Sequence, residues 1–163
     1  MERFSGTQIR TDIRPGDLGN IIHLHGYFFH QECGFGDTFE PYVAVSLAEF
    51  IRDKKERERL WVVDYRNRIA GSLAVVEHSR TLAHLRWFLL NPRIRGKGIG
   101  GYLLREALAF CRVCDFEQVF VWTLDYLEAS RKLYEKSGLQ LTEERKHAIW
   151  GIEMNEQRYA LTL

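Results

Sequence analysis

At 163 residues, 45% apolar and 28% charged, the chain has the size and composition of one globular domain that buries a core without disulfide staples. A formal net charge of +1 argues against nucleic acid or a membrane surface as the main partner. Three cysteines are few and odd in number, so no disulfide framework is expected and a reducing, cytoplasmic setting is. No apolar run reaches the ~20 residues of a membrane span, and the N-terminus lacks a signal-peptide core.

Residues 1–7 read as a loose start, and Gln8 to Arg14 as a short strand closed by Pro15-Gly16. Pro15 and Asp17 suit a helix's first turn, and Ile21, Leu24 and Phe28 carry the stripe to about Glu32. After the loop at Gly34–Asp37, Thr38 caps a second helix with Pro41 in its first turn and Val43, Leu47, Phe50 and Ile51 inside. The charge run Arg52–Arg59 reads as a solvated end. Leu60–Val63 and Ile69–Val76 form an antiparallel hairpin, and a strand follows at Leu82–Leu90. A long amphipathic helix runs to about Asp115. The strand Gln118–Thr123 returns by that helical crossover, so it lies parallel to Leu82–Leu90. Tyr126–Ser137 is a helix stopped by Gly138, and strands at about Leu139–Lys146 and Trp150–Leu163 close the sheet.

The most informative stretch joins the central strand to the long helix. The strand breaks at Asn91-Pro92 and gives way to Arg93-Ile94-Arg95-Gly96-Lys97-Gly98-Ile99-Gly100-Gly101. First-turn N–H groups have no helical partner, the macrodipole adds partial positive charge, and glycines permit close backbone approach. With Arg93, Arg95 and Lys97 added, the expected ligand is a phosphate or pyrophosphate. A plain turn does not need four glycines between residues 96 and 101. Gly96-x-Gly98-x-x-Gly101 also fits a dinucleotide fingerprint, with Asp125 as a ribose-binding acid, but no further βαβ repeats follow to complete such a sheet. Cys111-x-x-Cys114 lies within the helix with no second Cys/His pair at zinc spacing, so no metal is expected.

Arg95-Gly96-Lys97-Gly98-Ile99-Gly100 resembles the Q/R-x-x-G-x-G/A loop of the GNAT acetyltransferase superfamily, and Ala129–Leu139 resembles its A-x-x-L-Y-x-x-x-G-F segment. Trp122-Thr123-Leu124-Asp125, His147–Gly151, Gln157–Leu161 and the early run Arg14–Gly19 resemble the acetyltransferase half of MarR-GNAT fusion proteins, with no winged-helix half present. The resemblance spans nearly the whole chain, 1–163, as a single domain. It implies an α/β (α+β) fold, a mixed, mostly antiparallel sheet of six to seven strands flanked by about four helices. It also implies an N-acetyltransferase using acetyl-CoA, without metal, in a direct ternary complex. A CoA-binding sensor is the rival reading, and such folds often form homodimers.

By the same resemblance, Phe88, Leu89 and Leu90 hold the pantetheine arm and acetyl group, residues 96–101 hold the pyrophosphate, and Tyr134 protonates the departing thiolate. Many family members carry Asn seven residues before this tyrosine, where this chain has Leu127. The transfer needs donors for the developing oxyanion and an unprotonated amine, but no side-chain nucleophile. Candidates for the base are His25, Glu32, Glu40 and His147, or a water chain. The acceptor, a small amine or peptide, is expected between the N-terminal helices and the closing hairpin. Tyr27, Phe28, Phe35, Phe39 and Trp150 would line it, with Glu32 and Glu40 attracting an ammonium group.

Overall fold

A computed structural model describes residues 4–163. Of the loose start expected at residues 1–7, residues 1–3 lie outside these, and Phe4 already bridges to Thr7, where the first strand begins. Strand β1 (Thr7–Arg10) leads to α1 (Asp17–Cys33) and α2 (Phe39–Arg52), then to β2 (Arg59–Tyr65), β3 (Arg68–Glu77) and β4 (Leu82–Leu90). A 3-10 turn at Pro92–Ile94 precedes α3 (Ile99–Val113), β5 (Gln118–Leu124), α4 (Glu128–Lys136), β6 (Gln140–Ile149) and β7 (Ile152–Thr162). The seven strands form one mixed sheet in the order β1-β2-β3-β4-β5-β7-β6. Only β4 and β5 run parallel, as the α3 crossover requires. That topology sets aside the dinucleotide reading, which needs repeated parallel βαβ units.

Each helix pair seals one face of the sheet. Ile21 of α1 and Val43, Leu47 and Phe50 of α2 pack on Leu60, Val62 and Ala74. On the other face Leu103, Leu104, Ala107 and Cys111 of α3 meet Trp61, Val63, Leu73 and Val75, joined by Tyr134 of α4. Each large aliphatic side chain so buried contributes about 1.5–3 kcal/mol. Among the described residues no helix is long and apolar enough to cross a membrane.

Several details differ from the sequence reading, among them the start of α4, at Glu128 and not Tyr126, and the end of β6, at Ile149 and not Lys146. Strand β1 ends at Arg10, four residues early, because that side chain turns inward to Asp17 (2.8 Å) and Asp64 (2.6 Å). Asp17 also accepts from the Arg14 N–H at 2.7 Å, fixing the entry to α1. Thr38 stands at the start of α2 without a side-chain capping bond. Trp150, expected to open the last strand, lies with Gly151 in the β6–β7 turn, at φ 53° and 81°. The β2–β3 turn works alike through Arg66 and Asn67 (φ 49° and 62°), the left-handed pair that suits the twist of a tight hairpin.

Candidate active site

The site begins at an irregularity inside β4. Ser72 pairs with Leu89 and Ala74 with Arg86, so two residues, Trp87 and Phe88, stand opposite the single Leu73. Trp87 carries the bulge at φ 49°, a conformation that bulky side chains rarely adopt. Its carbonyl accepts a 2.7 Å bond from the buried Ser72 hydroxyl. The bulge bends β4 away from β5, and the two strands pair only from Leu82 to His84. Beyond His84 the β5-facing backbone of β4 has no strand partner, and a cleft of about 690 Å³ opens there. Phe88, Leu89, Leu90, Tyr134 and the glycine loop all line it. Close contact keeps this wall in place: a Cβ on Gly71 would lie 2.6 Å from the Leu89 carbonyl oxygen.

The loop beyond β4 is anchored by Ile94, fully buried, and by the Asn91 side chain, which accepts from the Arg93 N–H at 3.0 Å. Gly96 (φ 71°) and Gly98 (φ 85°) then adopt left-handed conformations and aim the first turn of α3 at the cleft. Gly96, Gly98, Gly100 and Gly101 line the cleft, and Ile99 turns its side chain into the core, so it offers only its amide. The cations separate. Arg95 is engaged by the Leu90 carbonyl (Nε, 2.7 Å) and by Glu32 (2.8 Å), binding the end of β4 to α1. Lys97 lies over the Tyr65 ring at 5.5 Å and is not among the cleft residues.

Tyr134 sits on α4 against Phe88, with ring centroids 6.3 Å apart. It is 4% exposed yet lines the cleft, and burial alone pushes its phenol well above the ordinary range. The phenol therefore remains a proton donor at neutral pH. Leu127, in place of the family's Asn, stands just before α4 without a capping side chain and also lines the cleft.

On the α1–α2 side, Phe35, Phe39, Tyr42 and Trp150 form an aromatic wall, with Trp150 4.9–5.3 Å from the other three rings. The Trp150 carbonyl accepts from the Gly36 N–H at 2.7 Å, so the β6–β7 turn is fastened to the α1–α2 loop. Tyr27 points elsewhere, 52% exposed and stacked on His23. Glu32 is engaged by Arg95, and Glu40 lies along Gly26, outside the cleft. His25 is 3% exposed, and its Nδ1 faces the Ile21 carbonyl at 2.8 Å. That carbonyl can only accept, so Nδ1 carries the proton and the buried Nε2 has no partner. Burial holds the imidazole down to about 4, partly offset by the Ile21 bond. His147 lies at the hairpin, 3.3 Å from Glu156, beside a second depression of about 520 Å³.

Residues 19–139 match the Acetyltransferase (GNAT) family. The chain belongs to the GNAT acetyltransferase family. YwnH of Bacillus subtilis (strain 168), which carries the provisional name phosphinothricin acetyltransferase, is 24% identical over 157 residues, 90% of this chain and 91% of that protein. An acetyltransferase structure from Streptococcus agalactiae superposes with a TM-score of 0.79 at 19% identity, covering 98% of this chain and 100% of that one. A GNAT family acetyltransferase from Elizabethkingia anophelis, with acetyl-CoA bound, gives 0.69 at 16% identity, covering 98% and 100%.

Within this GNAT fold the sequence reading passed over three contributors. Ser72, which braces the bulge, sits in a strand where a small polar residue between glycine and leucine was the only hint. Arg86, in the apolar run of β4, reaches the Tyr42 hydroxyl at 3.1 Å and lines the cleft. Glu156 lines it from β7.

Proposed function

We propose that this chain transfers the acetyl group of acetyl-CoA directly to the primary amine of a small molecule or peptide, in a ternary complex. The observation that carries the reading is the braced bulge at Trp87. It leaves β4 backbone unpaired on the wall shared with the glycine loop and Tyr134.

Each part supplies one requirement of the chemistry. The first-turn amides of α3, with Arg93 and Lys97 nearby in sequence, suit the diphosphate. Phe88, Leu89 and Leu90 offer apolar side chains and backbone groups to the pantetheine arm and acetyl group. An amide there donates to the carbonyl oxygen as charge develops on it. Arg95 occupies the Leu90 carbonyl, an acceptor, and leaves the amides of that segment to take this role. The high-pKa phenol of Tyr134 gives its proton to the leaving thiolate. The amine enters from the aromatic wall and must arrive unprotonated. With its Nε2 sealed, His25 suits a structural part, and a water path or Glu156 with His147 is better placed to take the proton.

The same reading treats residues 1–163 as one acetyltransferase domain. Kinship with the acetyltransferase half of MarR-GNAT fusion proteins rests on the motifs quoted above. The three free thiols suit a reducing compartment such as the cytoplasm. The test is thiol release from acetyl-CoA by purified protein across a broad amine panel. Amine-dependent release supports the assignment. Thermal stabilisation by acetyl-CoA with no release for any amine overturns it in favour of a CoA-binding regulator.

A further inference from the structure

Among the described residues, one arginine of the cleft stands apart from its ion pairs. Three acids line it, and each has a basic side chain within 4 Å: Glu32 with Arg95 (2.8 Å), Glu128 with Lys132 (2.8 Å) and Glu156 with His147 (3.3 Å). Among the described residues Arg86 is the lining arginine with no carboxylate partner. Its guanidinium has the Tyr42 hydroxyl at 3.1 Å and the Trp87 ring at 4.4 Å. Neighbouring charge reinforces it. The Arg158 guanidinium bonds the Thr142 hydroxyl (3.0 Å) and lies 4.5 Å over Phe120. His84 stacks 4.2 Å from that same ring. Burial, then Arg86, His78 and Arg158, push His84 down to about 3, so it stays neutral and adds no charge of its own.

The position of Arg86 decides which ligand it serves. It directly precedes the bulge, and its side chain goes to the α1–α2 side, over Trp87 and beside Tyr42. The glycine loop and α3 lie across the sheet, where Leu85 joins the α3 core. Arg86 therefore faces the acceptor, away from the diphosphate of the donor. Building on the acetyl-transfer reading, we propose that the acceptor amine also carries a carboxylate, and that Arg86 binds it. A planar guanidinium stacked over the Trp87 ring and bonded to the Tyr42 hydroxyl is preorganised for a two-point bond to such a group. Glu156 on β7, paired with His147 of β6, is left for the ammonium end.

The test compares L-amino acids with their own methyl esters in the thiol-release assay, for wild type, Arg86→Gln and Tyr42→Phe. The ester keeps the amine, loses the negative charge and makes the amine a weaker base, which biases the comparison against the proposal. Free acids should be preferred roughly ten- to hundredfold in kcat/KM. Arg86→Gln should erase that preference mainly through KM, and Tyr42→Phe, which keeps the charge, should retain it. Equal or better use of esters and simple amines, or equal loss of preference in Tyr42→Phe, overturns the proposal and leaves acetyl transfer standing. If no amine releases thiol, the same pairs are titrated onto CoA-loaded protein by calorimetry. Arg86-dependent preference for the acid then supports the anion site while acetyl transfer fails, and its absence refutes both.

Discussion

Replacing Ser72 with alanine tests whether the bulge in β4 is held by a single hydroxyl. Ser72 is 1% exposed, and its Oγ–H gives the Trp87 carbonyl a 2.7 Å bond that water cannot replace at that depth. Removing the donor orphans a buried carbonyl, at a cost of about 1–3 kcal/mol. A domain of this size loses roughly 2–4 °C in Tm per kcal/mol, so a fall of roughly 2–12 °C is expected. Trp87 is itself strained by about 1–2 kcal/mol in the left-handed region. Without its brace, β4 can relax by straightening. Acetyl-CoA affinity then falls by up to the same free energy, roughly 5- to 150-fold. Ser46→Ala is the control, because Ser46 bonds only the Tyr42 and Val43 carbonyls of its own helix. Thermal unfolding and calorimetric titration with acetyl-CoA read the two effects separately. A Ser72→Ala protein that melts with the wild type and binds acetyl-CoA equally well would show that the strand bends without this bond.

Tyr134→Phe should lower turnover by about 10²- to 10⁴-fold with little change in acetyl-CoA affinity, and wild-type turnover would remove the phenol from the chemistry. His25 should make stability depend on pH. Unfolded, it titrates near 6.5, and folded, it holds out to about 4. Between those values the unfolded chain binds the extra proton, so up to roughly 3 kcal/mol present at pH 7 is lost as pH falls through the window. Urea unfolding from pH 4 to 7 should show this limb in the wild type and a flatter one in His25→Gln. Asp17→Asn should cost about 3–5 kcal/mol in the same measurement, because it leaves the buried Arg10 poorly compensated. Burial raises the Asp17 carboxyl, but the Arg10 bonds outweigh it and hold it below the ordinary range. Its contribution is therefore full above the unfolded pKa of about 3.9 and lost at lower pH.

The strands and helices were legible wherever apolar periodicity ended in a strong breaker. Leu82–Leu90 was read to the residue because Asn91-Pro92 stops it, and the parallel pairing of β5 followed from the helical crossover. The bulge was not legible. Trp87-Phe88-Leu89-Leu90 is apolar throughout, so no polar residue marks the slip in alternation. The burial of His25 was readable in principle, since it lies four positions after Ile21 on one helical stripe. The engagement of Arg95 and Glu32 was beyond local pattern, because long side chains choose partners across the fold, here between a loop and α1. Trp150 was placed in a strand, though the Gly151 that follows it supplied the turn signal.

One extra residue in β4 also decides which side of the sheet each later side chain serves. Before it, Ala83 and Leu85 belong to the α3 core; after it, the parity flips, and Trp87 joins the α1–α2 core while Phe88 and Leu90 take the α3 side. Consecutive residues Arg86 and Trp87 thus share one wall, which an unbroken strand forbids. Point substitutions at positions 84 and 86 can change the α1–α2 wall without touching the bulge residue or the α3 side. A single deletion in this strand would exchange the two halves' linings at once, so diversification here must proceed by replacement, never by change of length.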